Sequence, residues 1–455
     1  MRKKYPPPYH LVGIGGAGMR GLAWILKDKG EKVQGSDIGK SISLEILQKN
    51  GIKIFSQHRA SNLNGAGTLI YSSAIEESNP EREEARKRGL PQVSRGEFLA
   101  HLGKGKKEIV VAGTHGKTTT TALLSFLFRE SGISPSYLIG GEILGEEKNA
   151  LWCEGELFIT ESDESDGSFL YLDPFISIIT NVDNDHLEFY RDMPALIRSF
   201  KKFIRKTSHE GCILFCLHHH WVKEFLRNKD TSDFITYGIG DGLLKAEIIQ
   251  EGEKGTFFQI KMHHYTIRKL FLPLYGRHNI LNALPSIYLG LKFGIPEKTI
   301  RALLSIFPGV KRRLEFKGKF QNVAIYDDYA HHPTEIEVTL KTLRKRYSCP
   351  LRVVFQPHRY SRTVNLSKNL GKSLSLADEV ILIPIYAAGE KPLPGVNTST
   401  IQNILNQKGI PVNYFRSKEE TVEYLIKSMK ENEIIITMGA GDVFQIGEKL
   451  LKTAK

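Results

Sequence analysis

The stretch Glu108–Phe128, EIVVAGTHGKTTTTALLSFLF, constrains the fold most, because a β-branched run, a glycine turn and a helical pattern follow one another without a break. That order opens a strand–turn–helix unit of a parallel α/β sheet. Glu108–Ala112 suits a buried strand, Gly113 and Gly116 permit a tight turn, and Ala122, Leu123 and Leu127 carry helical spacing from Thr118 onward. Such a turn aims backbone N–H groups at a phosphate. Lys117 adds a point charge for the terminal phosphates, and the Thr118 hydroxyl is placed to ligate Mg²⁺. The expected ligand is a magnesium nucleotide. The stretch departs from GxxxxGK[ST] at Val111, where the first glycine would stand, and a solvated glycine turn capping a helix is the competing reading.

A second unit of this kind starts the chain. Tyr9–Gly18, YHLVGIGGAG, is a strand feeding a glycine turn, and Gly13, Gly15 and Gly18 satisfy GxGxxG ahead of a helix expected over Met19–Lys29. A strand at Lys32–Gly35 leads to Asp37, which lies about where a Rossmann unit places its ribose-binding acid. The turn could hold NAD or another nucleotide diphosphate, or Gly18 could serve only to let helix and strand approach. A strand at Gly67–Tyr71 ends in Ser72 and Ser73, a charged helix follows at Glu81–Arg88, and Gly103–Lys107 reads as a linker. Two glycine turns imply two phosphate-bearing ligands.

At 455 residues the chain has room for about three domains, and 41% hydrophobic with 25% charged residues suits a globular protein. No apolar run approaches the ~18 residues that span a bilayer, so no membrane insertion is expected. The basic start MRKKYPPPYH leads into a glycine turn and not a signal-peptide core, which points to the cytoplasm. Four cysteines, Cys153, Cys212, Cys216 and Cys349, form no disulfide framework and fit a reducing compartment. The net charge of +13 is spread over small groups such as Lys104–Lys107 and Lys311–Arg313, without a basic arm or interleaved aromatics. Small phosphate-bearing molecules are therefore expected, and nucleic acid is not.

Downstream, a strand at Leu157–Thr160 ends in Glu161, Asp163, Glu164 and Asp166, and one at Phe175–Thr180 ends in Asn181, Asp183, Asp185 and His186. Carboxylates at such strand ends can build an oxygen-rich Mg²⁺ site with one imidazole. Glu161 and His186 are the stronger candidates; Asp183 and Glu164, taken singly, read as solvated acids capping helices. Cys212, Cys216 and His218–His220 imitate zinc spacing, yet GCILFCLHH reads better as a strand followed by a wet turn. Asn279 and Asn282 share a helix face in YGRHNILNAL, and Arg313 follows at the junction PGVKRRLE. Strands at Val323–Tyr326, Arg352–Phe355, Glu379–Pro384 and Ile434–Met438, separated by helices, predict a further parallel sheet. Its strand ends carry Asp327–Pro333 (DDYAHHP) and Gln356–Arg362 (QPHRYSR), a substrate pocket by composition with some residues serving as helix caps.

The motifs GIGGAGM, SSAI, GTHGKTTTT, ESDESDGSFL, TNVDNDHL, GRHNILNA, DDYAHHPTE and FQPHRYSRT, in this order, resemble the muramyl ligases of peptidoglycan synthesis. The resemblance covers essentially the whole chain. It implies an α/β protein of three domains: a Rossmann-like UDP-sugar domain at 1–105, a central P-loop-type ATPase domain with additional β-strands at 106–310, and a Rossmann-like domain at 311–455 that closes over the site. It also implies that the family's turn is the shorter GTxGKT, which accounts for Val111. The implied reaction joins L-alanine to the lactyl carboxylate of UDP-N-acetylmuramate with ATP, through an acyl phosphate. The implied cofactors are ATP and two Mg²⁺ ions, with Mn²⁺ able to stand in, and the implied assembly is a monomer or homodimer.

Carried over by residue, the resemblance gives the ATP site Gly113, Thr114, His115, Gly116, Lys117, Thr118, Thr119, Asn279, Asn282, Arg313 and Asp328. Thr118 and Glu161 take one metal ion and His186 the second. The UDP-sugar site takes Gly13, Gly15, Gly16, Ala17, Gly18, Asp37, Ser72 and Ser73, and the incoming amino acid takes Tyr329, His331, Arg359 and Arg362. Lys117, Glu161, His186 and His331 are the implied catalytic residues. Ala17, Arg20, Ser162 and Ala330 depart from the family's usual pattern.

Overall fold

The computed structural model describes residues 4–39, 41–185, 187–218, 222, 234–252 and 254–453. They divide into two compact units, Met1–Pro308 and Gly309–Lys455. The first unit contains two sheets. One runs β3-β2-β1-β4-β5 and is parallel throughout, with β1 Tyr9–Val12, β2 Val33–Ser36, β3 Lys53–Phe55, β4 Thr68–Tyr71 and β5 Gln92–Ser94. The order reverses between β1 and β4, so the Gly13–Gly18 turn opens at the switch point, where doubly wound sheets bind ligands.

The other sheet has ten strands. They are β6 Lys107–Ala112, β7 Ser136–Leu138, β8 Ala150–Leu151, β9 Leu157–Glu161, β10 Ile176–Ile179, β11 Cys212–Cys216, β12 Phe234–Ile239, β13 Leu244–Gly252, β14 Gly255–Met262 and β15 Tyr265–Leu272. The spatial order is β15-β14-β13-β12-β11-β10-β6-β9-β7-β8. β6 lies between β9 and β10, parallel to both, with Val111 opposite Glu161 and Ala112 opposite Ile179. This register delivers the glycine turn and both acidic strand ends to one edge. Ile109–Ala112 are fully buried, as the unbroken apolar run of a strand covered on both faces requires. β13–β15 form an antiparallel ribbon.

The Gly103–Lys107 linker is shorter than expected: Gly103 closes one helix and Lys107 opens β6. The two sheets share a hydrophobic core in which Leu22 and Trp24 join Leu138, Ala150 and Phe158. A Cβ at Gly21 would lie 2.7 Å from Leu138 Cγ, so the Ala17–Asp28 helix and β7 approach as closely as glycine allows. Loop composition marked the chain break but carried no information about this shared core.

Glu108 sits buried at the start of β6, and its Oε2 has no hydrogen-bond partner among the described residues. Burial, with the charge of Asp173 adding, pushes its carboxyl up to about 8. The native state then keeps a proton that the unfolded chain releases, so stability falls as pH rises from about 4.5 through about 8. Glu108→Gln is expected to flatten that fall, measured as Tm at intervals between pH 5 and pH 9; an unchanged slope would refute the assignment.

The second unit has the order β16-β17-β21-β18-β19-β20, with β16 Glu315–Phe320, β17 Val323–Asp328, β18 Leu351–Phe355, β19 Glu379–Leu382, β20 Val412–Tyr414 and β21 Ile434–Met438. Alternate residues face different cores: Tyr326 and Val353 pack on one side, Ile325 and Val354 on the other. Five strands are parallel, and β16 pairs antiparallel at the edge, a departure from the all-parallel expectation. Its pattern EFKGKF, with Phe316 exposed, gave no burial signal.

Candidate functional site

In the first unit, Gly113 and Gly116 adopt φ of +131° and +82°, and both lack room for a side chain. A Cβ at Gly113 would stand 2.3 Å from Thr180 Oγ1, and one at Gly116 would stand 2.5 Å from Asn282 Oδ1. Glycine is required at both. Asn181 clamps the turn from the end of β10: its Oδ1 accepts from the His115 N–H at 2.9 Å and its Nδ2 donates to the His115 carbonyl at 2.9 Å. The Asp183 N–H donates to Thr114 Oγ1 at 2.9 Å, while Asp183 Oδ2 lies 3.0 Å from His115 Nε2.

Lys117 opens the Lys117–Glu130 helix and turns back over the glycine turn. Its Nζ donates to the Gly113 carbonyl at 2.6 Å and to Glu164 Oε2 at 2.8 Å, with Asp163 Oδ1 at 3.7 Å. Burial works against its charge, but Glu164 and Asp163 outweigh that and raise the ammonium pKa above the usual lysine range. Lys117 is thus charged and held over the phosphate turn. Glu164 is not the solvated acid expected from the sequence; it is fully buried as the counter-ion of Lys117. A glutamate in an acidic run looks wet, and only the fold turns it inward.

The Thr118 hydroxyl donates to Glu161 Oε2 at 2.8 Å, and Glu161 Oε1 accepts from the Gly140 N–H. Two hard oxygens, one anionic, adjoin at the mouth of the turn, a donor set that suits Mg²⁺. His186 lies outside the described residues. Thr119 is buried in the first turn of its helix. Asn279 and Asn282 lie on the Arg277–Lys292 helix; Asn279 Nδ2 donates to the Tyr275 carbonyl at 2.8 Å and Asn282 Nδ2 to Asn279 Oδ1 at 3.2 Å. The pair is mutually hydrogen-bonded, with Asn282 against Gly116.

At the other turn of this unit, Gly13 has φ of +79° and Gly16 caps the Ala17–Asp28 helix without a side-chain bond. Asp37 binds the turn itself: Oδ2 accepts from the Gly15 N–H and Oδ1 from the Gly39 N–H, each at 2.8 Å. Ser72 lies beside Gly13, and a Gly18 Cβ would meet the Arg95 side chain at 3.0 Å. Ser73 is exposed on the loop after β4. Arg20, a departure from the usual pattern, is ion-paired with Glu142 at 2.9 Å.

The zinc-like spacing does not make a cluster among the described residues. Cys212–Cys216 is strand β11, buried from Leu214 onward, and burial pushes the Cys216 thiol up to about 11. His219 and His220 lie outside the described residues.

The second unit gathers its own cluster. Asp328 is buried, accepting from the Ala330 N–H at 2.7 Å and the Leu314 N–H at 2.8 Å. Burial pushes its carboxyl up to about 6 against the nearby Arg313 charge. It therefore braces the Arg313 segment. Arg312 is tied to Asp327 at 2.9 Å, while the Arg313 guanidinium lies 5.2 Å from the Tyr329 ring centre. His332 caps the Pro333–Arg346 helix in a capping box with Glu335, the capping role anticipated for part of this run. The rings of Tyr329, His331, His358 and Tyr386 form a chain with centroids 5.5, 5.6 and 5.7 Å apart. Burial, reinforced by the neighbouring His331, Arg362 and Arg359, pulls His358 down to about 2, so it stays neutral.

His331 Nδ1 lies 3.1 Å from the Tyr329 carbonyl. A proton on that nitrogen leaves the acceptor lone pair on Nε2. Arg359 precedes the Tyr360–Leu374 helix with φ of +67°, a strained conformation for a residue with a Cβ, fixed by its N–H donating to the Tyr386 carbonyl at 2.8 Å. Its Nε is buried with no hydrogen-bond partner among the described residues. Arg362 Nη1 lies 3.4 Å from His358 Nδ1.

Three family models match in succession: the Mur ligase family catalytic domain over residues 8–107, the Mur ligase middle domain over 111–290 and the Mur ligase glutamate ligase domain over 312–441. The UDP-N-acetylmuramate–L-alanine ligase of Desulfatibacillum aliphaticivorans is 40% identical over 458 residues, covering 99% of each chain. That of Dictyoglomus turgidum is 39% identical, covering 97% of this chain and 96% of its own. Among solved structures, the UDP-N-acetylmuramate–alanine ligase of Thermotoga maritima matches with a TM-score of 0.84 at 29% identity, covering 98% of both chains.

Proposed function

The chain belongs to the Mur ligase family, and from that premise we propose that it joins L-alanine to the lactyl carboxylate of UDP-N-acetylmuramate, cleaving ATP to ADP and phosphate. It is an ATP-dependent ligase of peptidoglycan precursor synthesis. The observation that carries this reading is the 40% identity to a ligase of that name over 99% of both chains. No described helix is long and apolar enough to cross a membrane, and we place the enzyme in the cytoplasm with its nucleotide substrates. The proposed domain limits are 1–105, 106–310 and 311–455.

Charge dictates the order of events. A carboxylate does not acylate an amine until it carries a leaving group. A lactyl carboxylate oxygen therefore attacks the γ-phosphorus, the bond to ADP breaks, and an acyl phosphate forms. Lys117, charged and fixed over Gly113, would draw negative charge from the transferring phosphoryl group, and the N–H groups of Gly116 and Lys117 at the helix start would hold the neighbouring phosphates. Thr118 and Glu161 would hold a Mg²⁺ ion, which when bound offsets phosphate charge; His186 is the proposed ligand of a second. Asn279, Asn282, Arg313 and Asp328 are assigned to the nucleotide. Gly13–Gly18, Asp37, Ser72 and Ser73 are assigned to the UDP-sugar.

In the second step the alanine nitrogen attacks the acyl carbon, and the tetrahedral intermediate collapses with loss of phosphate. Arg359, whose Nε has no partner among the described residues, can grip the alanine carboxylate in a fork and leave the amine free. Tyr329 and Arg362 complete the amino-acid side, and His331 Nε2 is the proposed acceptor of the amine proton. ADP release, measured with a panel of amines and UDP-N-acetylmuramate, tests the assignment. L-Alanine is expected to give turnover and a tripeptide none; the reverse pattern would overturn it.

A further inference from the structure

Asn149, at the edge of β8, is 1% exposed, and its carboxamide reaches two parts of the first unit far apart in sequence. Its Nδ2 donates to the Ala17 carbonyl at 2.9 Å, in the first turn of the helix behind the Gly13–Gly18 turn, and to the Ile139 carbonyl at 2.7 Å. Its own carbonyl accepts from the Ile139 N–H at 2.8 Å. The next residue, Gly140, gives its N–H to Glu161, and Glu161 accepts from Thr118 at the other turn. Gly140 has no room to shift a side chain into this contact, since a Cβ would stand 2.3 Å from Glu161 Oε1.

An unbroken run of short hydrogen bonds and one peptide link thus connects Ala17 to Thr118. Removing the carboxamide would take a donor from the buried Ile139 carbonyl and from the half-buried Ala17 carbonyl, and loosen the Ile139–Gly140 backbone that orients Glu161. The same segment is also docked by Arg20–Glu142 at 2.9 Å and Lys148–Asp28 at 3.2 Å.

We infer that Asn149 is a positioning residue that couples the two turns, so that UDP-sugar bound at one raises the affinity for Mg-nucleotide at the other. This rests on the substrate assignment above. A bound pyrophosphate draws on the first helical turn, where Ala17 sits, and favours the conformers in which Asn149 holds Gly140 against Glu161. Linkage makes the effect reciprocal.

Calorimetric titration with a non-hydrolysable ATP analogue and Mg²⁺, on enzyme empty or saturated with UDP-N-acetylmuramate, tests it. The wild type is expected to bind the analogue about tenfold tighter when the sugar nucleotide is present, and Asn149→Ser and Asn149→Asp less than about twofold tighter. Lys148→Ala, which loses the Asp28 pair and the contact over the Trp24 ring but no bond of the run from Ala17 to Thr118, should keep the full effect. Coupling that persists in folded Asn149 variants, or a wild type without coupling, overturns the inference alone. Absence of UDP-N-acetylmuramate binding to the wild type overturns the functional reading and the inference with it. If neither Asn149 variant folds, hydrogen exchange on the wild type decides: the Gly140 amide is expected to slow severalfold on binding UDP-N-acetylmuramate alone, and an unchanged rate refutes the link.

Discussion

Lys117→Ala is expected to abolish phosphoryl transfer, lowering kcat by at least about 10²–10³-fold, the scale on which one fixed donor to a developing anion acts. The ammonium is held 2.6 Å from the Gly113 carbonyl and its charge is secured by Glu164 and Asp163. No other described cation opens the Lys117–Glu130 helix. The substitution also removes the lysine from a fully buried glutamate, and breaking such a pair costs ~3–5 kcal/mol. Low activity could then reflect unfolding. The double variant Lys117→Ala/Glu164→Gln separates the two effects: it should recover much of the lost Tm and none of the ADP release. Activity returning with stability would show that Lys117 serves the fold and not the phosphate.

Arg359→Ala should strike the other half-reaction. A charge-assisted bidentate grip on the alanine carboxylate contributes about 1.5–3 kcal/mol, so KM for L-alanine is expected to rise about 10–150-fold with KM for ATP nearly unchanged. The left-handed backbone at this position would strain an alanine as it strains the arginine. Arg359→Gly removes the guanidinium without that penalty and is expected to be stable, yet equally poor with L-alanine. Arg359→Lys should recover only part of the affinity, because an ammonium cannot match the planar fork. A matching rise in KM for ATP would move Arg359 out of the amino-acid site.

The parts of this molecule written in local pattern were readable from the chain. The strand–turn–helix units around Gly13 and Gly113 stand within a residue or two of where spacing placed them, because buried parallel strands need continuous apolar runs and the turns need glycine. Thr118 and Glu161 meet because the register of β6 on β9 puts Val111 opposite Glu161. Tertiary burial was not readable. Glu164 resembles its wet neighbours in sequence, and nothing local reports that it faces Lys117. Asn181 and Asn149 work through backbone atoms of distant segments, which no spacing rule reveals. Asp37 and Asp328 carry the side chains expected of ribose acids, yet each spends both oxygens on nearby backbone N–H groups. Their expected roles therefore include holding the loops that receive ligand.

The central claim is that phosphoryl transfer to the sugar-borne acid precedes, and does not require, the amino acid. Hydroxylamine captures an acyl phosphate as a stable hydroxamate, so the direct measurement is hydroxamate formed from ATP and UDP-N-acetylmuramate with L-alanine omitted. Wild type and Arg359→Gly are expected to yield it at similar rates, and Lys117→Ala to yield none. No hydroxamate from the wild type, or equal loss in both variants, would contradict the two-step division of labour.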